Sequence, residues 1–137
     1  MSRKRENVRQ CKVIRQLIDD NKYTKALELI DAIPLEVGSL DDLYRYAELY
    51  EKAERMDKKK EIFYHIYHRT HSRYMLNRLL RLTIRMGDME EARELYFAYE
   101  VAGPITLDTF ELRYLLAKAE GEPPERLIQI LEELKKE

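Results

Sequence analysis

Apolar residues recur at helical spacing along most of the chain, and the pattern is interrupted at regular intervals. Leu76, Leu79, Leu80 and Thr83 follow one another by three, one and three positions and so share one helix face. Met86-Gly87-Asp88 comes next, a stop followed by a start: Gly ends a helix at little steric cost and Asp caps the following one. The second helix carries Ala92, Tyr96 and Tyr99, and Pro104 lies a few positions beyond, where a helix must have ended. The pattern predicts a helix-turn-helix unit.

The same pattern stands earlier in the chain, with Leu43, Tyr46, Ala47 and Tyr50 on a first helix and Lys59, Phe63 and Ile66 on a second. The step from Leu76 back to Leu43, taken once more, reaches Gln10, Val13, Ile14 and Leu17, which precede Ala26, Ile30 and Ile33, with Pro34 close behind. Forward, Phe110, Tyr114 and Ala117 form a helix that stops at Gly121. Pro123 and Pro124 then open a last helix bearing Leu127, Leu131 and Leu134, slightly out of strict register. The predicted fold is all-α: eight helices in four helix-turn-helix units at about 7–36, 40–70, 73–103 and 106–136, within a single domain over 1–137. Lys59 stands where the flanking units have Ala, so the second helix pair is expected to splay or shift register there. The competing layout is an irregular bundle of eight helices without true repeats.

The segment Gly87-Asp88-Met89-Glu90-Glu91-Ala92-Arg93-Glu94-Leu95-Tyr96 resembles the tetratricopeptide repeat, with Leu76 where that family often has Trp and Thr83 where it often has Tyr. Tyr23-Thr24-Lys25-Ala26-Leu27-Glu28-Leu29-Ile30 is similar to the same second-helix start. Such units cannot bury both faces alone and must stack. The resemblance implies a right-handed α-α superhelix whose first helices line a concave side. The last helix, polar through Glu125, Gln129, Glu132, Glu133, Lys135 and Lys136, is similar to a solenoid's terminal cap.

Composition agrees with a folded helical chain. The hydrophobic fraction is 45% and the charged fraction 37%, too apolar for disorder. Cys11 is the only cysteine, so no internal disulfide is available. The basic opening is followed by no apolar run, and no apolar stretch nears the roughly 20 residues needed to cross a bilayer. The expectation is a cytoplasmic protein without a membrane partner.

Charge is laid out in blocks. Net charge is +5 over residues 1–25, −6 over 26–57, +7 over 58–86 and −7 over 87–137, for −1 in all. In the third unit Arg78, Arg81 and Arg85 recur at spacings of three and four beside the apolar face, with Asn77 adjacent. Lys12 and Arg15 take comparable places in the first unit, and Tyr44, Arg45 and Glu48 in the second. By the tetratricopeptide resemblance these residues face the groove, and Arg suits a carboxylate. They resemble, loosely, the carboxylate-gripping Lys/Asn/Arg set of chaperone-binding family members. Asn77 and Arg78 are one helical step out of that pattern, and the first unit lacks the Asn. The expected function is a non-enzymatic protein-interaction module, a scaffold or adaptor that binds an acidic peptide or acidic protein surface in a basic groove. An alternative is a self-assembling homodimer with charge blocks offset.

Other chemistry finds less support. His65, His68 and His71 stand three apart, but the Thr70–Arg73 turn is expected to pull His71 off the helix, so no metal or other cofactor is expected. Cys11 has no local His to activate it, and the four Gly are isolated, which leaves no phosphate-cradling loop; no catalytic residue is assigned. Tyr64, Tyr67 and Tyr74 near Lys58, Lys59, Lys60, Arg69 and Arg73 could stack on bases, yet a pI near 6.3 disfavours nucleic acid as partner.

Overall fold

The computed structural model describes residues 2–136. Among them are eight α-helices and no strand. The helices are α1 (Ser2–Asp19), α2 (Tyr23–Ala32), α3 (Leu40–Lys52), α4 (Met56–Thr70), α5 (Arg73–Met86), α6 (Met89–Val101), α7 (Leu107–Ala119) and α8 (Pro124–Lys136). A single 3-10 turn, Leu35–Val37, joins α2 to α3. The chain divides into two compact units, the first ending at Arg69 and the second starting at Thr70.

The helices are joined in pairs by one turn used four times. Asn21, Glu54, Gly87 and Gly121 each take a left-handed backbone conformation, and they fall at nearly equal intervals along the chain. Behind each, the next N–H reaches back to a carbonyl of the preceding helix: Lys22 N to Leu17 O at 2.8 Å, Arg55 N to Tyr50 O at 2.8 Å, Asp88 N to Thr83 O at 3.3 Å, Glu122 N to Ala117 O at 3.0 Å. This is the Schellman closure, which gives otherwise orphaned terminal carbonyls a donor. The recurrence that the apolar pattern predicted is therefore present in the backbone hydrogen bonds.

Two of the four left-handed positions are Gly, and Asn tolerates that region; Glu does not, because its Cβ crowds the following carbonyl. Glu54 is exposed, with φ of 59°. Glu54→Gly is expected to raise stability by about 1 kcal/mol, and Gly87→Ala, at φ of 84°, to lower it by about as much. Urea unfolding of the two variants checks both signs; a destabilised Glu54→Gly chain would contradict the turn geometry.

In the first unit α1 packs on α2 and on the 3-10 turn, and α2 packs on α3. The core holds Cys11, Ile14, Ala26, Ile30, Leu43, Tyr46, Ala47, Leu49, Tyr50, Ile62, Phe63 and Ile66. Burying one such aliphatic or aromatic side chain contributes roughly 1.5–3 kcal/mol. The α1 register differs from the expected one: Cys11 and Ile14 are buried and Leu17 half-buried, but Val13 is 42% exposed. Ser39 caps α3 with a reciprocal box, its hydroxyl accepting from Asp42 N at 3.1 Å while Asp42 Oδ2 accepts from Ser39 N at 3.3 Å. Arg69 holds the α2–α3 connection, donating to the carbonyls of Gly38, Leu35 and Glu36 at 2.6, 3.0 and 2.9 Å.

At Lys59 the register does not shift. Lys59, Phe63 and Ile66 are all buried, so the register stands. The lysine stem lies in the seam and its ammonium leaves toward Glu51, at 2.8 Å, with the Phe63 ring 5.3 Å away. That stem is longer than the methyl of Ala26 or Ala92, which occupy the matching positions of the flanking units. Across the α2–α3 seam the Tyr50 hydroxyl donates to Asp31. Burial, and then that bond, push Tyr50 well above the ordinary phenol range.

The second unit packs α5 on α6, α6 on α7, α5 on α7 and α7 on α8. Ser72 and Asp88 cap α5 and α6. Leu76, Leu79, Leu80 and Thr83 are all buried as the spacing predicts, joined by Met75, Leu82, Ala92, Leu95 and Tyr99. On α7 the buried set is Thr109, Phe110, Leu112, Leu116 and Ala117, whereas Tyr114 of the expected stripe is half-buried, as is Tyr96 on α6. On α8 only Ile130 is buried; Leu127 and Leu134 are half-buried, and Leu131, expected in the seam, is 42% exposed. Arg73 closes α6: its Nε donates to Tyr99 O at 3.0 Å, and its guanidinium lies 4.1 Å over the Tyr99 ring.

Candidate functional site: two arginine clefts

Each compact unit carries part of the expected basic surface. In the first unit, Lys12 projects from α1 as an exposed residue, and Arg45 and Glu48 are carried on α3 beside Tyr44, with Tyr44 half-buried. Arg15 is committed to a partner. Its Nε and Nη2 donate to Asp42 Oδ1 and Oδ2 at 2.9 and 3.3 Å, a two-pronged grip on a carboxylate that is nearly fully buried. The hydrogen bond and charge of Asp42 hold Arg15 even further above its ordinary value. Arg15, Ser39, Asp41, Asp42 and Arg45 line a cleft of about 230 Å³. Its two cations face two carboxylates, so the first-unit cleft is largely neutralised from within.

The second unit arranges its arginines differently. Asn77 is buried, and its Oδ1 accepts from Arg81 Nε at 2.6 Å. Arg81 Nη2 also meets Glu111 of α7 at 3.1 Å. The amide and the carboxylate together fix the Arg81 guanidinium across the α5–α7 seam. Arg78 is half-buried, with its guanidinium 5.8 Å over the Tyr74 ring. Arg85 is exposed at the end of α5. Arg81, Ile84, Arg85 and Leu115 line one cleft of about 280 Å³ between α5 and α7. Part of the Arg81 guanidinium is spent on Asn77 and Glu111, as Arg15 is spent on Asp42, but here two aliphatic side chains stand beside the arginines, and such a lining can take an apolar group with a carboxylate attached.

Of the residues expected to act together, the structure brings Arg81 and Arg85 into one cleft, and Arg15 and Arg45 into another. Asn77 serves by orienting Arg81. Ile84 and Leu115 were missed. The signal for Leu115 was its place beside Leu116, since adjacent side chains on a helix point well apart.

The histidines do not converge. His71 has left α4 with φ of 51°, as the expected turn required, and His68 lies against Tyr64 and Tyr67 with ring centroids 6.2 and 5.8 Å apart. Among the described residues no group of three or more His, Cys, Asp or Glu is placed to hold a metal ion. Cys11 is buried, its Sγ 3.8 Å from Val37 O. No described helix is long and apolar enough to cross a membrane. No protein-family model, no curated protein and no solved structure matches this chain.

Proposed function

We propose that this chain is a tetratricopeptide-like repeat protein, a non-enzymatic adaptor that binds an acidic segment of another protein. The observation that carries the reading is the α5–α7 cleft, where Arg81 and Arg85 flank Ile84 and Leu115. The recurrence of one turn at Asn21, Glu54, Gly87 and Gly121, at nearly equal intervals, supports the repeat assignment. Such units cannot bury both faces alone and need to stack on neighbours, and the resemblance implies that they stack as a right-handed superhelix. The ligand chemistry follows from the cleft: aspartate or glutamate for the guanidinium groups, and a neighbouring aliphatic or aromatic side chain for Ile84 and Leu115. Arg81 is held in place before binding by Asn77 and Glu111, which reduces the ordering cost of a complex.

The test uses a fluorescent acidic peptide library with one apolar anchor, read by anisotropy against the full chain. Binding is expected to fall at least about tenfold in Arg85→Glu, since a lost charge-assisted contact is replaced by repulsion. The circular dichroism of that variant should be unchanged, because Arg85 is exposed. Basic peptides binding as well as acidic ones would sink the reading.

A further inference from the structure

A second surface of the Thr70–Glu137 unit lies at the corner where α6 passes into α7. Phe97 and Val101, one turn apart on α6, are 68% and 70% exposed, and Ile105 and Leu107, just beyond in the connection and at the start of α7, are 63% and 65% exposed. Four large apolar side chains standing open within so short a stretch are unlike the scattered exposed leucines of an ordinary surface. The charges around them are acidic. Glu94 precedes Phe97 by three positions, Glu100 adjoins Val101, and Asp108 follows Leu107, all exposed. Three cations approach this region and each has partners: Arg73, whose guanidinium lies against Gly103 in the connection, with Tyr99 O at 3.0 Å, Arg93 with Glu120 at 2.9 Å, and Arg113 with Tyr96 at 3.0 Å and Glu133 at 3.4 Å. Arg113 reaches Glu100 only at 3.8 Å. The corner is thus an apolar knob whose rim is anionic apart from the half-buried Arg73.

The chain carries the complementary surface on α1. Val8 is 49% exposed, and Lys4, Arg5 and Lys12 lie three or four positions from it on the same stripe. Arg3, Lys4, Asn7, Val8, Glu36 and Val37 line a cleft of about 580 Å³ between α1 and the 3-10 turn. Its apolar residues are Val8 and Val37, and its rim is cationic apart from Glu36. This is the inverse of the corner: an apolar hollow with a cationic rim.

We propose that copies of this chain associate by seating the α6–α7 corner of one copy, led by Phe97, in the α1 cleft of another. Desolvation of Phe97 and Val101 against Val8 and Val37 supplies the attraction, and the opposed rims set the orientation. The contact joins two different surfaces. A closed pair forms if two copies exchange it reciprocally, and a row forms if they do not.

Sedimentation equilibrium of the full chain at low salt tests this. The expected result is a mass above that of one chain that rises with concentration and falls as salt screens the rims. Phe97→Lys is expected to weaken association at least about tenfold with helicity unchanged. A charge exchange isolates the partner. A chain carrying Lys4→Glu and Arg5→Glu, and a second carrying Glu94→Lys and Asp108→Lys, should each sediment as single chains. Mixed in equal amounts, they should associate, because the unaltered corner of the first chain then meets the unaltered cleft of the second. A single-chain mass at all concentrations overturns the proposal. So does association that survives Phe97→Lys, or a mixture that fails to associate. Single chains that bind only an added basic amphipathic peptide would assign the corner to a different partner and overturn it likewise.

Discussion

Phe63→Ala is expected to lower the unfolding free energy by about 3–5 kcal/mol, the largest effect of any single substitution considered for this chain. The ring is 2% exposed in the core of the first unit. Truncation removes its transfer free energy and leaves a cavity in the first unit's core, which the surrounding helices relax into only in part. It also strips the Lys59 ammonium of the ring 5.3 Å away. Against a typical stability of about 5–15 kcal/mol, such a loss leaves the first unit close to unfolding. Urea denaturation should show a lower midpoint, and Phe63→Leu should recover more than half of the loss. A cost below about 1 kcal/mol would mean that the ring is not packed as described.

Asp42→Ala ranks second, at about 2–4 kcal/mol, and for a different reason. Asp42 is 3% exposed and serves two structures at once. It completes the capping box of α3 with Ser39, worth about 1 kcal/mol. It also receives both prongs of Arg15, and charge-assisted bonds to a buried acceptor are worth more than neutral ones. The Arg15 side chain is 43% exposed, so solvent screens its half of the pair and the estimate stays below that of a fully buried ion pair. Thermal or urea unfolding of Asp42→Ala, Asp42→Asn, Arg15→Met and the Asp42→Ala/Arg15→Met double variant forms a cycle that separates the contributions. Asp42→Asn keeps an acceptor for Ser39 N and should lose only part of the total. Strict additivity in the double variant would show that the two residues do not couple.

Much of this arrangement was legible in the chain because the information is local. The faces Leu43–Tyr46–Ala47–Tyr50 and Leu76–Leu79–Leu80–Thr83 are wholly buried as their spacing predicts. Helical periodicity states which side chains point together before anything is known of their neighbours. The same rule was less accurate at the two ends. Val13 aligns with Tyr46 one unit on, yet stands partly open, while Cys11 and Ile14 are buried. The middle-unit register does not carry over onto α1. The buried pair is Cys11 and Ile14, with Leu17 and Ile18 both half-buried behind them. On α8, Leu131 stands open and Ile130 is buried in its place.

The candidate site was legible as composition but not as pairing. Arg78, Arg81 and Arg85 form a visible stripe, yet nothing local says that Arg81 will meet Glu111 on another helix, or that Arg15 will meet Asp42. Those contacts are set by how helices pack, and a charged side chain carries no periodic signal for its partner. The exposed corner at Phe97 was hidden in a similar way. Phe97 adjoins Tyr96 in a stretch that reads as helical core, and only its position on α6 turns it outward.

The repeated turn bears on which changes the chain can absorb. At each reversal the direction is set by main-chain bonds, so the exposed side chains nearby carry little of the instruction. One position per reversal is different, because its torsion excludes most residue types. A survey of tolerated substitutions along the chain would therefore be permissive through the connections, with narrow notches at Asn21, Glu54, Gly87 and Gly121. At three of these the resident residue suits the notch. At the fourth, glutamate occupies a place better suited to glycine, and there alone the survey would find a reversal improved by losing its side chain.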